Sequence, residues 1–227
     1  MSQVHALIAV KDLARAKSRL APRFAQGDRE RLVLAMLTDT VTAARSVPRV
    51  ASVTVVTPDP VVADTALTAG AEVYPEPALR LPYADIERLN EALTHAAEHV
   101  RLRHGGVDLL ALQADLPALQ GRELAAAIGA APRGRRSYVV DHRGTGTSAL
   151  LLRDPVGQLA PRFGRESAMR HRETGAVALP GEWPGLRLDV DTADDLELAV
   201  ALGVGAATSG VLDEIGWVRA CAGESSC

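Results

Sequence analysis

This chain has few of the residues that mark membrane-spanning or nucleic-acid-binding proteins. Aromatic residues make up only 3% of its 227 residues, too few for a platform on which bases stack. The formal net charge is −3, so no global basic field attracts nucleic acid. No apolar run approaches the roughly 20 residues needed to cross a bilayer, and nothing resembles a signal peptide. We therefore predict a cytoplasmic protein with neither a nucleic-acid nor a membrane partner.

Cysteine is almost absent. Cys221 and Cys227 both lie near the C-terminus, away from any pattern of core residues. Their placement matches neither a disulfide framework nor a zinc site. Because a chain of this length suits one good-sized core, residues 1–218 are predicted to form a single domain. Residues 219–227 are small and polar and are predicted to be a flexible tail.

What the chain does contain is an alternation of strand and helix patterns, with no repeat period and no linker. Helical spacing of apolar residues separates most of the predicted strands, and Gly203 should end the last helix. Such alternation predicts an α/β fold with a mostly parallel sheet that helices cover on both faces. Apolar, β-branched runs predict strands at residues 4–10, 50–57, 71–74, 107–112, 137–140, 149–152 and 186–190.

One predicted strand runs into an aspartate. The apolar run 107–112 is too short for a free-standing helix and is typical of a buried parallel strand. Because proline cannot extend a hydrogen-bonded ladder, the strand should end before Pro117. Asp115 is then expected just past the carboxyl end of a central strand, where open α/β sheets bind ligands. The alternative is that Asp115 only caps a helix or closes a turn.

Two more aspartates, Asp189 and Asp191, stand at the end of the last predicted strand. Side chains two residues apart on a strand point the same way, so both could share a target with Asp115. Carboxylate oxygens are the ligands that Mg²⁺ prefers. We therefore predict that these three aspartates hold Mg²⁺. Asp194 and Asp195, in the first turn of the following helix, are interpreted as capping residues.

Cations follow the first predicted strand, among them Lys11, Lys17 and Arg19. At the ligand-binding edge of the sheet they would form a positively charged rim. The alternative is a solvated cationic loop. Asn90 lies on the apolar face of the predicted helix 84–103. It is either a satisfied core amide or a ligand contact.

Two segments could wrap an anion in backbone N–H groups. The loop that reaches Thr147 is rich in glycine and hydroxyls and lies between two strands. Gly164 and Ser167 lead into a helix, whose first N–H groups are unpaired. An ordinary hairpin turn and a plain helix cap are the alternatives. Together with the carboxylates and cations, these segments indicate phosphate chemistry; no Ser-His-Asp order, catalytic cysteine or HExxH motif is present.

Taken in order, these segments resemble one family along almost the whole chain, the CofC/FbiD guanylyltransferases of coenzyme F420 biosynthesis. Ser148 stands where many relatives have asparagine, and Lys11-Asp12-Leu13 replaces the Gly-Gly pair of broader nucleotidyltransferases. The matching segments are Val10-Lys11-Asp12-Leu13, Ala16-Lys17-Ser18-Arg19-Leu20, Leu89-Asn90-Glu91-Ala92-Leu93, Ala114-Asp115-Leu116-Pro117, Gly146-Thr147-Ser148-Ala149-Leu150, Phe163-Gly164 with Ser167 and His171, and Leu188-Asp189-Val190-Asp191-Thr192.

The resemblance implies a single-domain, Rossmann-like nucleotidyltransferase fold that transfers GMP from GTP to the phosphate of a small acid and releases pyrophosphate. The segments Arg162-Phe163-Gly164 and Trp183-Pro184-Gly185-Leu186 look like actinobacterial members, which implies phosphoenolpyruvate as the acceptor. 2-Phospho-L-lactate and 3-phosphoglycerate are the alternatives, and a hand-off of the product to the next pathway transferase is implied. A nucleotide-sugar glycosyltransferase, expected to show Asp-x-Asp in place of Asp115-Leu116-Pro117, and a silent nucleotide-binding subunit are more distant alternatives.

The resemblance also implies a role for each matching residue. A phosphate monoester is already ionised near neutral pH, since its second pKa is about 6, and needs no general base. His142 and His171 are therefore interpreted as structural or peripheral. The implied catalytic residues are Lys17, Arg19 and Asp115; the nucleotide contacts are Lys11, Lys17, Arg19 and Asn90; the acceptor contacts are Thr147, Gly164 and Ser167; and the Mg²⁺ ligands are Asp115, Asp189 and Asp191.

Overall fold

A single sheet with helices packed on it forms the body of the protein. The computed structural model describes residues 3–11, 13, 17–76 and 85–217. The strands in those ranges are β1 (Val4–Ala9), β2 (Val50–Thr57), β3 (Glu72–Pro75), β4 (Asp108–Leu112), β5 (Arg136–Val140), β6 (Thr147–Leu152) and β7 (Val177–Ala178). The α-helices there are α1 (Gln26–Arg45), α2 (Pro60–Thr68), α3 (Asp85–His104), α4 (Gly121–Ala130), α5 (Ser167–Glu173), α6 (Pro184–Arg187), α7 (Ala193–Leu202) and α8 (Ala206–Glu214).

The strand order is β3-β2-β1-β4-β6-β5-β7. Among the strands of the described ranges, β6 alone runs against its neighbours; the other pairings are parallel. A short loop, residues 141–146, joins β5 to β6, so β6 must reverse. The first residues of β6 therefore lie at the sheet edge where β1 and β4 end. The predicted α/β fold with a mostly parallel sheet is confirmed.

Both faces of the sheet are buried. Alternate residues of β1 and β4 point to opposite sides: Ile8 and Leu110 pack with α1 and α4, whereas Leu7 and Leu109 pack with α3. A strand that is covered on both faces has no solvent-facing positions. This is why β4 is apolar at each position from Leu109 to Leu112.

Local chemistry sets where two helices begin. The Asp59 carboxylate accepts hydrogen bonds from the first N–H groups of α2, and Pro60 occupies the first helical position. At α7, Thr192 and Asp195 form a reciprocal capping box. The prediction that Asp195 caps this helix is confirmed. Gly203, with φ 94°, follows the last residue of α7, as predicted.

The predicted strand at 186–190 is wrong. Pro184–Arg187 form the short helix α6, and residues 188–190 have no regular secondary structure. Pro184 suits the first turn of a helix. Leu186, Leu188 and Val190 alternate because each packs into the core, not because they belong to a ladder. The strand geometry that was expected to align Asp189 with Asp191 is therefore absent.

Some parts of the fold either were not predicted or lie outside the described residues. Helix α8 and the short strand β7 were not predicted, and α8 packs against α1. The predicted tail 219–227, with Cys221 and Cys227, lies outside the described residues. Within the described ranges, we find no helix with the length and apolar character that a bilayer span requires.

A threonine of α1 anchors the segment that follows β4. The buried Thr40 hydroxyl lies 3.2 Å from the Ala114 carbonyl and accepts a hydrogen bond from the Leu116 N–H at 3.1 Å. Both backbone groups flank Asp115. The backbone that carries the Asp115 side chain is thus held by a residue of a long helix.

We expect Thr40→Val to lower the free energy of unfolding by about 1–3 kcal/mol, because the buried Leu116 N–H loses its partner while side-chain shape is kept. Urea denaturation measures this change. Thr42→Val is the matched control: Thr42 is exposed on the same helix and bonds only the carbonyl of Thr38. The control should stay within about 0.5 kcal/mol of wild type. Equal effects for the two variants would contradict the anchoring role.

Candidate active site

A cavity of about 390 Å³ opens at the sheet edge where β1 and β4 end. Its volume lies within the range of roughly 300–1,000 Å³ that is usual for ligand sites. The cavity brings together every predicted nucleotide and metal residue except Asn90. These are Lys11, Lys17, Arg19, Asp115, Asp189 and Asp191; the other lining residues are Ala9, Val10, Val33, Leu89, Gln113 and Ala114.

Lys17 lies at the centre of the acidic residues. Its ammonium donates to Asp115 Oδ2 and, at 2.7 Å, to Asp191 Oδ1. Burial alone would lower the pKa of Lys17, but the charges and hydrogen bonds of Asp115 and Asp191 outweigh it and raise the pKa. The Lys17 backbone has φ 52°, a left-handed conformation that is uncommon for a residue with a side chain. Arg19 is 72% exposed at the rim, 4.0 Å from Asp191 Oδ2.

Asp189 completes the group of acids and lies 3.6 Å, through Oδ1, from His142 Nδ1. Its side chain is 16% exposed, and Oδ1 has no hydrogen-bond partner among the residues that the structure describes. Burial raises the pKa of Asp189 to about 8, and the charges of Asp115, Asp191 and Asp141 act in the same direction. A carboxyl with a pKa this high is largely protonated at neutral pH unless another cation joins the site.

The acids supply oxygen donors of the type that a divalent cation takes, although Lys17 provides the positive charge in the arrangement described. Within the described ranges, Asp115 Oδ1 and Asp189 Oδ1 are both buried without a hydrogen-bond partner. Buried carboxylate oxygens are costly unless they are paired or coordinate a metal. Among the described residues, no group of three or more acidic, histidine or cysteine side chains is already gathered as a metal site. A metal bound here would therefore have to share Asp115 and Asp191 with Lys17 or displace it.

Asn90 does not line the cavity. Its Oδ1 accepts from the Phe163 N–H at 2.8 Å, and its Nδ2 donates to the carbonyls of Ile86 and Phe163 at 3.0 and 3.2 Å. The side chain thus holds the backbone just before Gly164, which fits the alternative of a satisfied amide. Leu89, its neighbour on α3, lines the cavity instead.

The three predicted acceptor residues lie together beside the cavity, in a buried unit. Thr147 Oγ1 is 3.0 Å from His171 Nδ1, and the Ser167 N–H donates to the Gly164 carbonyl at 3.1 Å. Gly164 has φ 109°, and an added Cβ would meet Ile86 Cγ1 at 2.5 Å, so only glycine fits. Thr147 and Ser167 are buried.

His171 holds this unit together. Its Nε2 accepts from the Arg162 N–H at 2.9 Å, so in the neutral ring Nδ1 carries the proton and donates to Thr147 Oγ1. Burial, with the nearby charges of Arg136, Arg170 and Arg162, lowers the pKa of His171 to about 4. The ring is therefore neutral at physiological pH and has a structural role.

Sequence reasoning missed two contacts of the site. Gln113 lines the cavity and donates to the Thr147 carbonyl at 3.3 Å, joining the acidic residues to the acceptor unit. It stands two residues before Asp115, a spacing that could have indicated it. His142, interpreted as structural or peripheral, has its Nδ1 3.6 Å from Asp189 Oδ1. Its place directly after a strand was the available signal.

Known sequences resemble this chain over nearly its full length. The family model for CofC-like guanylyl transferases matches residues 4–222. The phosphoenolpyruvate guanylyltransferase of Nocardia farcinica is 63% identical over 215 residues, which cover 94% of this chain and 92% of that protein. Phosphoenolpyruvate guanylyltransferase 1 of Rhodococcus jostii is 54% identical over 222 residues, 94% of each chain.

Solved structures share the fold at low sequence identity. A nucleotidyl transferase from Methanothermobacter has a TM-score of 0.55 and 15% identity, over 88% of this chain and 97% of that one. A cytidylyltransferase from Leptospira borgpetersenii has a TM-score of 0.55 and 17% identity, over 98% and 96%. At such identities the likeness establishes a nucleotidyltransferase fold and nothing finer.

We expect Asp189→Asn to change how stability depends on pH in metal-free protein. The pKa of Asp189 is raised from 3.8 to about 8 on folding. Between those values the native state holds a proton that the unfolded chain has lost. Wild type should therefore lose stability relative to the variant as pH rises from about 4 to about 8, by at most about 1.4 kcal/mol per pH unit, and the difference should stay constant above.

Urea denaturation in EDTA across this pH range measures the difference. Asp194→Asn, at an exposed position three residues from Asp191, is the matched control. Parallel pH profiles for wild type and Asp189→Asn would contradict the raised pKa.

Proposed function

Because the chain belongs to the family of CofC-like guanylyl transferases, we propose that it transfers GMP from GTP to the phosphate of phosphoenolpyruvate. The products are enolpyruvyl-2-diphospho-5'-guanosine and pyrophosphate. The name shared by relatives at 63% and 54% identity, phosphoenolpyruvate guanylyltransferase, supports this acceptor. The observation that carries the proposal is the convergence of Asp115, Asp189 and Asp191 with Lys17 in one cavity.

The reaction is a displacement at the α-phosphorus of GTP. A phosphate oxygen of the acceptor forms the new P–O bond, and the bond from the α-phosphorus to the bridging oxygen breaks, so that pyrophosphate leaves with its electron pair. The acceptor oxygen is ionised near neutral pH. No general base is required, and His171, neutral and bonded at both ring nitrogens, is not placed to act as one. The protein's task is to bring two polyanions together in line.

Asp115, Asp189 and Asp191 would hold Mg²⁺, which supplies charge neutralisation and polarises the α-phosphate when bound. Support comes from the unpartnered buried oxygens of Asp115 and Asp189. Lys17 would stabilise charge on the departing pyrophosphate, and Arg19 would meet the phosphates at the rim. Lys11, two residues past the end of β1, also lines the cavity and would contact the nucleotide there.

Thr147, Gly164 and Ser167 would bind the acceptor. Gln113 supports this assignment, because it donates a hydrogen bond to the Thr147 carbonyl and also lines the cavity. Asn90 would then act on the nucleotide only indirectly, by fixing Phe163 and Gly164. A place in coenzyme F420 biosynthesis follows from the resemblance of the sequence motifs. We extend the proposal to a cytoplasmic location and to hand-off of the product to the next transferase.

We expect the highest kcat/KM for GTP with phosphoenolpyruvate when four nucleoside triphosphates are paired with three acids. The acids are phosphoenolpyruvate, 2-phospho-L-lactate and 3-phosphoglycerate, and pyrophosphate release is the readout. Phosphoenolpyruvate and phospholactate differ by a planar methylene against a tetrahedral methyl centre. Such a difference supports about 1–3 kcal/mol of discrimination, or roughly 10–200-fold.

Asp115→Asn and wild type in EDTA are the controls, and both should be inactive. A preference for phospholactate or 3-phosphoglycerate would replace the acceptor and leave the guanylyl transfer standing. Full activity in EDTA would contradict the metal. Absence of GMP transfer to all three acids would contradict the proposed function.

A further inference from the structure

Asp195 is a buried aspartate that does more than cap α7. It lies next to residues 189–191, which we call the acidic segment. Asp195, 2% exposed, accepts hydrogen bonds through Oδ2 from the N–H groups of Asp191 and Thr192 at 3.1 and 2.8 Å. Thr192 is the N-cap of α7, so the bond to Asp191 reaches back beyond the helix. That bond fixes the backbone of Asp191, whose side chain contacts Lys17.

Two side chains from the β5–β6 loop meet the same carboxylate. Arg143 Nη2 lies 2.7 and 2.8 Å from the two oxygens of Asp195, and His142 Nε2 lies 3.0 Å from Oδ1. The other ring nitrogen of His142 faces Asp189 Oδ1 at 3.6 Å. The loop therefore contacts the acidic segment at both of its predicted metal ligands, directly at Asp189 and through Asp195 at Asp191.

The backbone around this loop is fixed as well. The His142 N–H donates to the Arg187 carbonyl at 2.7 Å, and Arg187 Nε donates to the Val140 carbonyl at 3.0 Å. On the opposite side, the Ala168 N–H donates to the Thr145 carbonyl at 3.1 Å. One loop thus joins the acidic segment to α5, which begins at the predicted acceptor residue Ser167.

We infer that Arg143 and His142 are positioning residues which, through Asp195, hold Asp189 and Asp191 in the arrangement that binds a divalent metal. The inference rests on the proposed function, because it concerns the metal which that function requires. Neither residue is among those that line the cavity. Partners behind metal ligands typically change metal affinity by about 10–100-fold when they are removed.

If Arg143 acted only through its positive charge, its removal would change the metal affinity in the opposite direction. Arg143 is 48% exposed. Removing a cation near a metal site should tighten metal binding, by roughly fivefold at most at such an exposed position. Loss of positioning should weaken metal binding instead. The two explanations therefore predict opposite signs for the same variant, so the sign decides between them.

The test is a titration of the full chain with Mn²⁺, without nucleotide or acceptor. Electron paramagnetic resonance monitors the metal binding. We expect Arg143→Ala to raise the Kd for Mn²⁺ about tenfold. Arg143→Lys should recover most of the affinity, because a single nitrogen makes the contact with Asp195. Arg135→Ala, exposed at the opposite end of β5, is the matched control and should bind like wild type.

A second readout separates positioning from general damage to the fold. In the transfer assay, the Mg²⁺ concentration for half-maximal rate should rise about tenfold in Arg143→Ala, while kcat at saturating Mg²⁺ is recovered. Equal or tighter Mn²⁺ binding by Arg143→Ala would overturn the inference, as would a wild type that binds no Mn²⁺. A wild type that binds Mn²⁺ and shows the Arg143→Ala shift, yet transfers no GMP, would support the inference and overturn the proposed function.

Discussion

Repulsion among carboxylates is the constraint on which the site depends. Asp115, Asp189 and Asp191 line one cavity, and unit charges a few ångströms apart in a partly buried setting repel by several kcal/mol. The Lys17 ammonium offsets part of this by contacting Asp115 and Asp191. Asp189, without such a contact, has its pKa raised to about 8. Lys17 thus contacts two of the three acids, and the third is largely protonated at neutral pH.

The fold supplies the rigidity that keeps these acids together. Thr40 fixes the backbone on both sides of Asp115, and the Val190 N–H donates to the Asp115 carbonyl at 3.1 Å. This last bond directly joins the backbone at Asp115 to the segment that carries Asp189 and Asp191. The reversal of β6 then places Thr147 at the same edge, because the β5–β6 loop turns there. The predicted metal ligands and the predicted acceptor residue Thr147 thus meet at a single edge although they are distant in sequence.

Much of this arrangement could be predicted from the sequence, and the failures have physical causes. The position of Asp115, just past the end of a central strand, was predicted correctly because an apolar run followed by Pro117 identifies a strand end. Asp189 and Asp191 do line the cavity, but not for the reason expected, since the alternating apolar residues around them pack against the core without forming a strand. The His142 and Arg143 contacts with Asp195 join residues about 50 positions apart. No local pattern reports such a contact. Asn90 shows the converse, since a polar residue on an apolar helix face looks the same whether it binds a ligand or a backbone.

The most direct measurement compares Lys17→Met with wild type, with and without Mn²⁺. If a cation holds the carboxylates together, the Tm of the variant in EDTA should fall by roughly 5–10 °C, since a partly buried pair loses one partner. Mn²⁺ should then bind the variant more tightly than wild type and restore the Tm, because the metal no longer competes with the ammonium for Asp115 and Asp191. An unchanged Tm in EDTA, or Mn²⁺ binding no tighter than that of wild type, would contradict the shared use of these oxygens by lysine and metal.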